Sequence, residues 1–313
     1  KDVKLVWKGR LADDIRALGD GFIEMAVIAR SNPMLQCPDT EDLERVFEKI
    51  PLKVVFEHFM TDTAKAADIV LPAATFLEED ELYCSYFHNY VSLGRKAVEP
   101  LGEARPDIEI MKGMAERLGI GCLSGRTALE WIRYALEPME AYGITLDRLM
   151  DEGWVRFPAP MVPWQDGKFP TASGRIMVGS PAPPKYIPPH ELPDKEYPFY
   201  LITGALRDRL HSQYDNLGAD PAGLQAVYVH PEAARRLGLK ELSVVEVYTK
   251  HAAMRFLMVF DDRMRQDVIY AHHGRWKDRN GGINRLIKGY LADMGGQGAL
   301  YDCAAGIRPS EVR

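Results

Sequence analysis

Cysteine is scarce and scattered. The 313-residue chain has four, Cys37, Cys84, Cys122 and Cys303, and no two stand close enough for a CxxC pair. That spacing gives neither an iron–sulfur nor a zinc signature and reads as four thiols in a reducing compartment. No apolar run reaches the ~18 residues of a membrane span. Basic residues are in deficit, 39 Lys and Arg against 45 Asp and Glu, for a net charge of −6. The chain therefore lacks the basic excess of a nucleic-acid binder. No secretory signal opens it, but it begins at Lys1 rather than methionine, so that absence carries no weight. Internal repeats and low-complexity tracts are missing too. What is present is an ordinary globular composition, 46% hydrophobic and 27% charged, at a length that suits two domains.

Read in order, residues 11–18 suggest a helix and residues 22–29 a strand, which runs into the polar turn Arg30-Ser31-Asn32-Pro33. Asp39 and Thr40 are placed to cap a helix to about residue 49. Residues 53–56 form a buried, β-branched strand, 64–67 a short helix, and 68–72 a second strand stopped by Pro72. Strand, helix and strand at this spacing make a βαβ unit with a parallel sheet. The acidic run 78–81 reads as a solvated loop or helix start, and Tyr83, Tyr86, Phe87 and Tyr90 as packing aromatics. Asp107 caps a helix closed by Gly119, and another spans residues 128–136. Residues 154–190 are proline-rich and linker-like, with one hairpin around 169–180. From residue 197 the pattern changes to short strands, at 199–203, 226–229, 243–249, 253–260 and 267–271. A short helix with Pro231 at its first position and Gly238 after its last sits among them. The expected architecture is an α/β domain with a partial parallel sheet over residues 1–190. A mainly β, six-stranded barrel-like domain follows over residues 191–313.

Polar residues crowd the ends of these strands. Ser31 and Asn32 follow the first. Glu57, Thr61 and Thr63 fill the turn after the buried strand. Arg207, Arg209, His211, Ser212 and Gln213 lie within seven residues, after the first barrel strand. The carboxyl ends of parallel strands are where open α/β sheets bind ligands. Each cluster has a plainer reading. Asn-Pro is a turn signal, Thr61 and Thr63 can cap the short helix, and Glu57 can be a surface residue. His272-His273 invites a metal, but adjacent strand residues point to opposite faces. No metal ligand and no catalytic residue is assigned. Gly295-Gly-Gln-Gly298 lacks the GxGxxG spacing of an ordinary dinucleotide site.

The longest motif is VVFEHFMTDTAKAADIVLP at residues 54–72. It resembles the gapless pattern VV-x-(D/E)-x-F-x-T-x-T-A-x-x-A-D-x-V-L-P of the molybdopterin oxidoreductases, the dimethyl sulfoxide reductase superfamily. Ser31-Asn32-Pro33 resembles that family's Gly-Ser-Asn-Pro turn, with Arg30 in the glycine's place. Residues 203–213 resemble its T-G-R…H-x-S-Q loop, and Gly274–Leu286 its G-x-W…(V/I)-N-x-L segment. Residues 169–176 match its F-x-T-x-S-G-(K/R)-I hairpin, and 295–302 its closing segment. The resemblance runs from Gly21 to Pro309 and covers only the C-terminal part of the family's catalytic subunit.

The resemblance implies the family's α/β third domain up to about residue 190, then a fourth-domain β-barrel that binds molybdopterin guanine dinucleotide carrying Mo or W. Ser31 and Asn32 would meet the nucleotide end. Glu57 stands where an aspartate is usual, and its carboxylate can accept from guanine N1–H and N2–H together. Thr61 and Thr63 would meet phosphates. Arg207, His211, Ser212 and Gln213 would meet phosphates and pterin, and Asn284 the pterin. The family's [4Fe–4S] domain and metal-ligating segment have no counterpart in this sequence and are expected only upstream. The implied chain is a fragment or a split subunit, inactive without that upstream part. The implied reaction is two-electron redox or oxygen-atom transfer. Alternatives are a cofactor-holding split subunit without its own chemistry and a non-redox hydratase. Expected partners are the upstream portion of the same subunit and an iron–sulfur electron-transfer subunit, with no nucleic acid and no membrane span. The expected compartment is cytoplasmic, with the periplasm as the alternative.

Overall fold

A computed structural model describes residues 3–123, 125–179, 183, 185–217 and 223–310. Packing gathers the chain into two compact units interleaved along the sequence. One joins residues 1–55, 59–70 and 186–313, and the other takes 56–58 and 71–185. Element type changes near residue 190, from α/β to β, but packing groups the first fifty residues with the barrel.

The first elements alternate. Helix α1 (Leu11–Leu18) precedes β1 (Met25–Ala29), α2 (Pro33–Gln36) and α3 (Thr40–Glu48). Strand β2 (Leu52–Glu57), α4 (Asp62–Lys65) and β3 (Ile69–Pro72) follow. The strands form a parallel sheet in the order β1-β2-β3. Strand β2 is buried from Lys53 to Phe56, as its β-branched pair Val54-Val55 demands. Met34, Leu43, Val46, Phe47 and Ile50 pack with Ala12 into one core. Asp39 does not cap α3 with its side chain. It sits at φ 56° in the left-handed region, and its carboxylate pairs instead with Lys288.

In the second unit, β4 (Glu81–Ser85), β5 (His88–Gly94) and β6 (Trp154–Arg156) form an antiparallel sheet. The helices α5 (Asp107–Arg117), α6 (Ala128–Leu136) and α7 (Leu146–Glu152) belong to this unit. Val91, Leu93, Ile132, Leu136, Leu149 and Val155 share its core. Pro106 rather than Asp107 is the residue before α5, with Asp107 in the first turn. Other expectations are corrected here too. Glu78 is not solvated: it is buried, and its carboxylate accepts from the Thr75 N–H and hydroxyl and from the Leu101 N–H. These donors hold its carboxyl below the usual range, the Thr75 N–H contributing most. Tyr86 and Phe87 do not pack inward. They are 95% and 87% exposed at the tip between β4 and β5, where a two-stranded hairpin end has no layer to cover them. No strand forms over the described residues 169–179; a turn closes there from Phe169 N–H to Gly174 O, and Pro170 has no N–H to give to a ladder.

The barrel closes from six strands: β7 (Phe199–Gly204), β8 (Ala226–Val229), β9 (Val244–Tyr248), β10 (Ala253–Phe260), β11 (Val268–His272) and β12 (Ala304–Pro309). Their order is β10-β8-β11-β7-β12-β9. Helix α8 (Pro231–Arg236) follows β8 and begins with proline, its His230 ring accepting from the Glu232 N–H. Alternate residues face inward: Leu201, Val227, Val229, Val245, Val247, Phe256, Met258 and Ile269 are fully buried, as a closed barrel requires. Each such side chain contributes roughly 1.5–3 kcal/mol of burial. Strands β7 and β11 run parallel, with Thr203 opposite Ala271, so the loops that follow them leave the same barrel end. Among the described residues, no helix is long and apolar enough to cross a membrane.

Candidate functional site

The turn after β1 is built by amides. Asn32 is only 3% exposed. Its Oδ1 accepts from the Thr63 N–H at 3.1 Å and the Thr63 hydroxyl at 2.6 Å. Thr63 Oγ1 in turn accepts from the Met34 N–H at 3.1 Å. Thr61 caps α4 by accepting from the Ala64 N–H. Asn284 is buried as well, and its Nδ2 donates to the carbonyls of Leu35 and Gln36, both at 3.0 Å. An amide suits these places because it donates and accepts without charge. Arg30, in the position where the resemblance has glycine, adopts φ 52°, a left-handed backbone that glycine takes without strain.

The loops after β7 and β11 lock onto each other. The Asp215 side chain is fully buried. Its carboxylate accepts from the Trp276 N–H at 2.8 Å and pairs with Arg209, while Arg279 donates to its backbone carbonyl. Trp276 Nε1 donates to Ser212 O at 2.8 Å, and the His273 N–H to Gly204 O at 2.9 Å. Gly274 has φ 90°, and a Cβ there would overlap the His211 carbonyl oxygen. His211 and Tyr214 sit at φ 52° and 68°, left-handed conformations that cluster where a loop is over-determined for a task. The His211 and His273 rings meet edge-on, centroids 5.2 Å apart. Burial pushes the His273 imidazole below its usual pKa, and His211 and His272 push it further the same way. Asp62, on α4, accepts from the Lys277 N–H at 3.3 Å. Burial raises its carboxyl pKa, against that bond and the nearby Lys277 and Lys65 charges.

The ten expected site residues fall into three groups. Asn32, Thr61, Thr63, Ser212 and Asn284 are buried and brace the loops, with Gln36 Nε2 donating to Ser212 Oγ at 3.2 Å. Arg207, His211 and Gln213 are exposed on the braced loop, and Ser31 is half-buried at the end of β1. Glu57 belongs to the other compact unit, where its carboxylate accepts from the His58 N–H at 2.8 Å. Asp215 and Gln36 are not marked by any local pattern, whereas Trp276 stands inside the G-x-W segment. No group of three metal-ligating side chains occurs in these loops among the described residues; the one such group, Asp13, Asp39 and Asp42, is paired with Lys288 and Arg16.

Residues 1–117 match the family model described as molybdopterin oxidoreductase, and residues 199–304 match the molydopterin dinucleotide binding domain. The chain belongs to the molybdopterin oxidoreductases. It is 30% identical over 312 residues to "Probable oxidoreductase YyaE" of Bacillus subtilis, covering 95% of this chain and 47% of that protein. It is 30% identical to the F420-dependent formate dehydrogenase subunit alpha of Methanocaldococcus jannaschii, covering 79% of this chain and 38% of that one. In fold it is similar to acetylene hydratase from Pelobacter acetylenicus, with a TM-score of 0.78 at 21% identity, over 96% of this chain and 46% of that one. The chain thus spans less than half the length of these relatives. The residues present fit a molybdopterin dinucleotide. Asn32 Nδ2 is buried with no hydrogen-bond partner among the described residues, a spare donor beside the braced turn. Arg207, His211 and Gln213 add the donors that phosphates and a pterin edge accept from.

Proposed function

We propose that this molybdopterin oxidoreductase chain is the C-terminal, cofactor-holding portion of a bis-(molybdopterin guanine dinucleotide) enzyme with Mo or W. The reaction is two-electron redox or oxygen-atom transfer. The observation that carries this reading is the pair of barrel loops fastened through Asp215 and Trp276, which presents Arg207, His211 and Gln213 on a rigid base. When bound, the cofactor supplies the electron and oxygen-atom chemistry. The chain's own residues bind and orient it. Arg207 and His211 neutralise phosphate charge, Gln213 and Ser31 offer hydrogen bonds, and the spare Asn32 amide donor meets a ligand acceptor. Asn284 acts through the turn it braces. Glu57, at the end of β2, is the guanine acceptor. The names of the relatives, an oxidoreductase and a formate dehydrogenase, favour redox chemistry. The formate dehydrogenase's designation as a subunit alpha favours an electron-transfer partner.

The test is cofactor content. With the chain joined to the N-terminal half of a relative's catalytic subunit, Glu57→Ala should retain less guanine dinucleotide than Glu57→Asp, because loss of a charge-assisted pair costs roughly 1.5–3 kcal/mol. Nucleotide released by acid from each purified variant, quantified by chromatography, measures it. Equal content in the wild type and both variants would make Glu57 a plain surface residue.

A further inference from the structure

We propose that the His211–His273 pair takes up a proton when a phosphate diester binds the loop after β7, so that the dinucleotide is held more tightly as pH falls. This rests on the dinucleotide reading above. The geometry has three parts. His211 is exposed, and its carbonyl is packed against Gly274, so its backbone is held in place. His273 is half-buried on the adjoining loop, and its N–H is bonded to Gly204 O. The two rings stand 5.2 Å apart at 85°, an arrangement in which both cannot carry charge without repulsion.

The surroundings of the pair are cationic. His272 is the next imidazole, its Nδ1 at 3.3 Å from the Tyr270 hydroxyl. Arg207, Arg209, Arg275 and Arg279 lie on the same two loops. Among the described residues the carboxylates there are Asp208, which is exposed, Asp215, which is committed to Arg209 and Trp276, and Asp278, which pairs with Lys65. Burial and two imidazoles push His273 down, so the His273 ring is short of a proton near neutral pH. An anion within hydrogen-bonding reach reverses the balance, because an imidazolium–phosphate bond is charge-assisted. The proton comes from solvent, and no other bond is made or broken. A contact serving only to pack the rings predicts no such exchange.

The probe is guanosine diphosphate mannose, whose pyrophosphate diester does not itself titrate around neutral pH. Titration calorimetry of the full chain at about pH 7, in two buffers of different ionisation heat, counts the protons. The expected uptake is on the order of half a proton or more per diester bound, with affinity weakening as pH rises from about 6 to 8. In His273→Asn the uptake should fall by half or more, since one of the two rings is gone. Histidine ring NMR of the wild type, with and without the diester, reports the same protonation without any variant. Binding with no proton uptake, or uptake unchanged in His273→Asn, overturns the pair and leaves the dinucleotide reading standing. Failure of the diester to bind at all overturns the pair, while the dinucleotide reading is decided separately by the nucleotide content of the Glu57 variants.

Discussion

Asn32 and Glu191 show how much of this molecule hangs on single polar side chains. Asn32 Oδ1 takes both the N–H and the hydroxyl of Thr63. Asn32→Ala leaves those donors buried and unpaired, and should destabilise the chain by about 2–3 kcal/mol. A denaturant midpoint equal to wild type would contradict this. Glu191 is 4% exposed. It accepts from His251 at 2.6 Å, from the Tyr290 hydroxyl at 3.1 Å and from the Ala304 N–H at 3.2 Å. Burial works to raise its carboxyl pKa, but the His251 bond and the other donors hold it below its ordinary value. Its folded pKa is therefore depressed, so its stabilisation is present above the unfolded carboxylate pKa and is lost as pH falls through the folded one. Glu191→Gln should cost about 2–3 kcal/mol near pH 7, and the gap to wild type should close below about pH 4. Melting curves of both across that range decide it. The sequence named Asn32, Thr63 and Asn284 as residues that matter, yet not that they bond to the chain itself. Asn32 and Thr63 lie 31 positions apart, and only the register of β1 on β2 brings them together. Glu191, in a proline-rich stretch, carries no local sign of its three-way role.

Elements were legible where pattern and punctuation agreed. Helices α1 and α6 and strands β8 and β10 have the bounds read from the sequence, because apolar spacing and caps coincide there. The capping box of Thr127 and Glu130 marks the start of α6 on its own. Strand β12, Ala-Ala-Gly-Ile-Arg-Pro, was not legible: its glycine and proline argue against a strand. Tertiary pairing overrides that, since Gly306 lies where a Cβ would overlap the Tyr248 ring opposite it. Loops differ in the same way. Gly274 and Gly295 both have positive φ, but only Gly274 has backbone against it. Gly274→Ala should cost more than about 2 kcal/mol and abolish binding of the phosphate diester, by driving His211 out of place. Gly295→Ala should cost about 1 kcal/mol, the strain alone. Thermal melts with diester titration separate the two, and equal effects would mean that the β7 and β11 loops are not locked together.

For the whole molecule the question is how much of an enzyme these 313 residues make. The family model matches and the barrel account for a dinucleotide-binding half. The chain covers 47% of YyaE and 38% of the formate dehydrogenase subunit. Its loops present donors, yet among the described residues they assemble no metal-ligating trio. Cys37 and Cys303 are buried thiols, raised by burial to about 11 and about 12, whereas a metal takes the thiolate. Cys84 and Cys122 are exposed and unpaired. Four cysteines so spaced cannot make a four-thiolate cluster at any ferredoxin-like spacing. A cofactor resting on these loops alone would keep its phosphates and pterin edges in water, where polar contacts are weakened. We therefore expect these 313 residues, expressed alone in a host that makes the cofactor, to carry little Mo or W and to show no viologen-linked turnover. Joined to the N-terminal half of a relative's catalytic subunit, they should gain both. Stoichiometric metal and turnover in the lone chain would show that the residues holding the metal lie within this sequence after all.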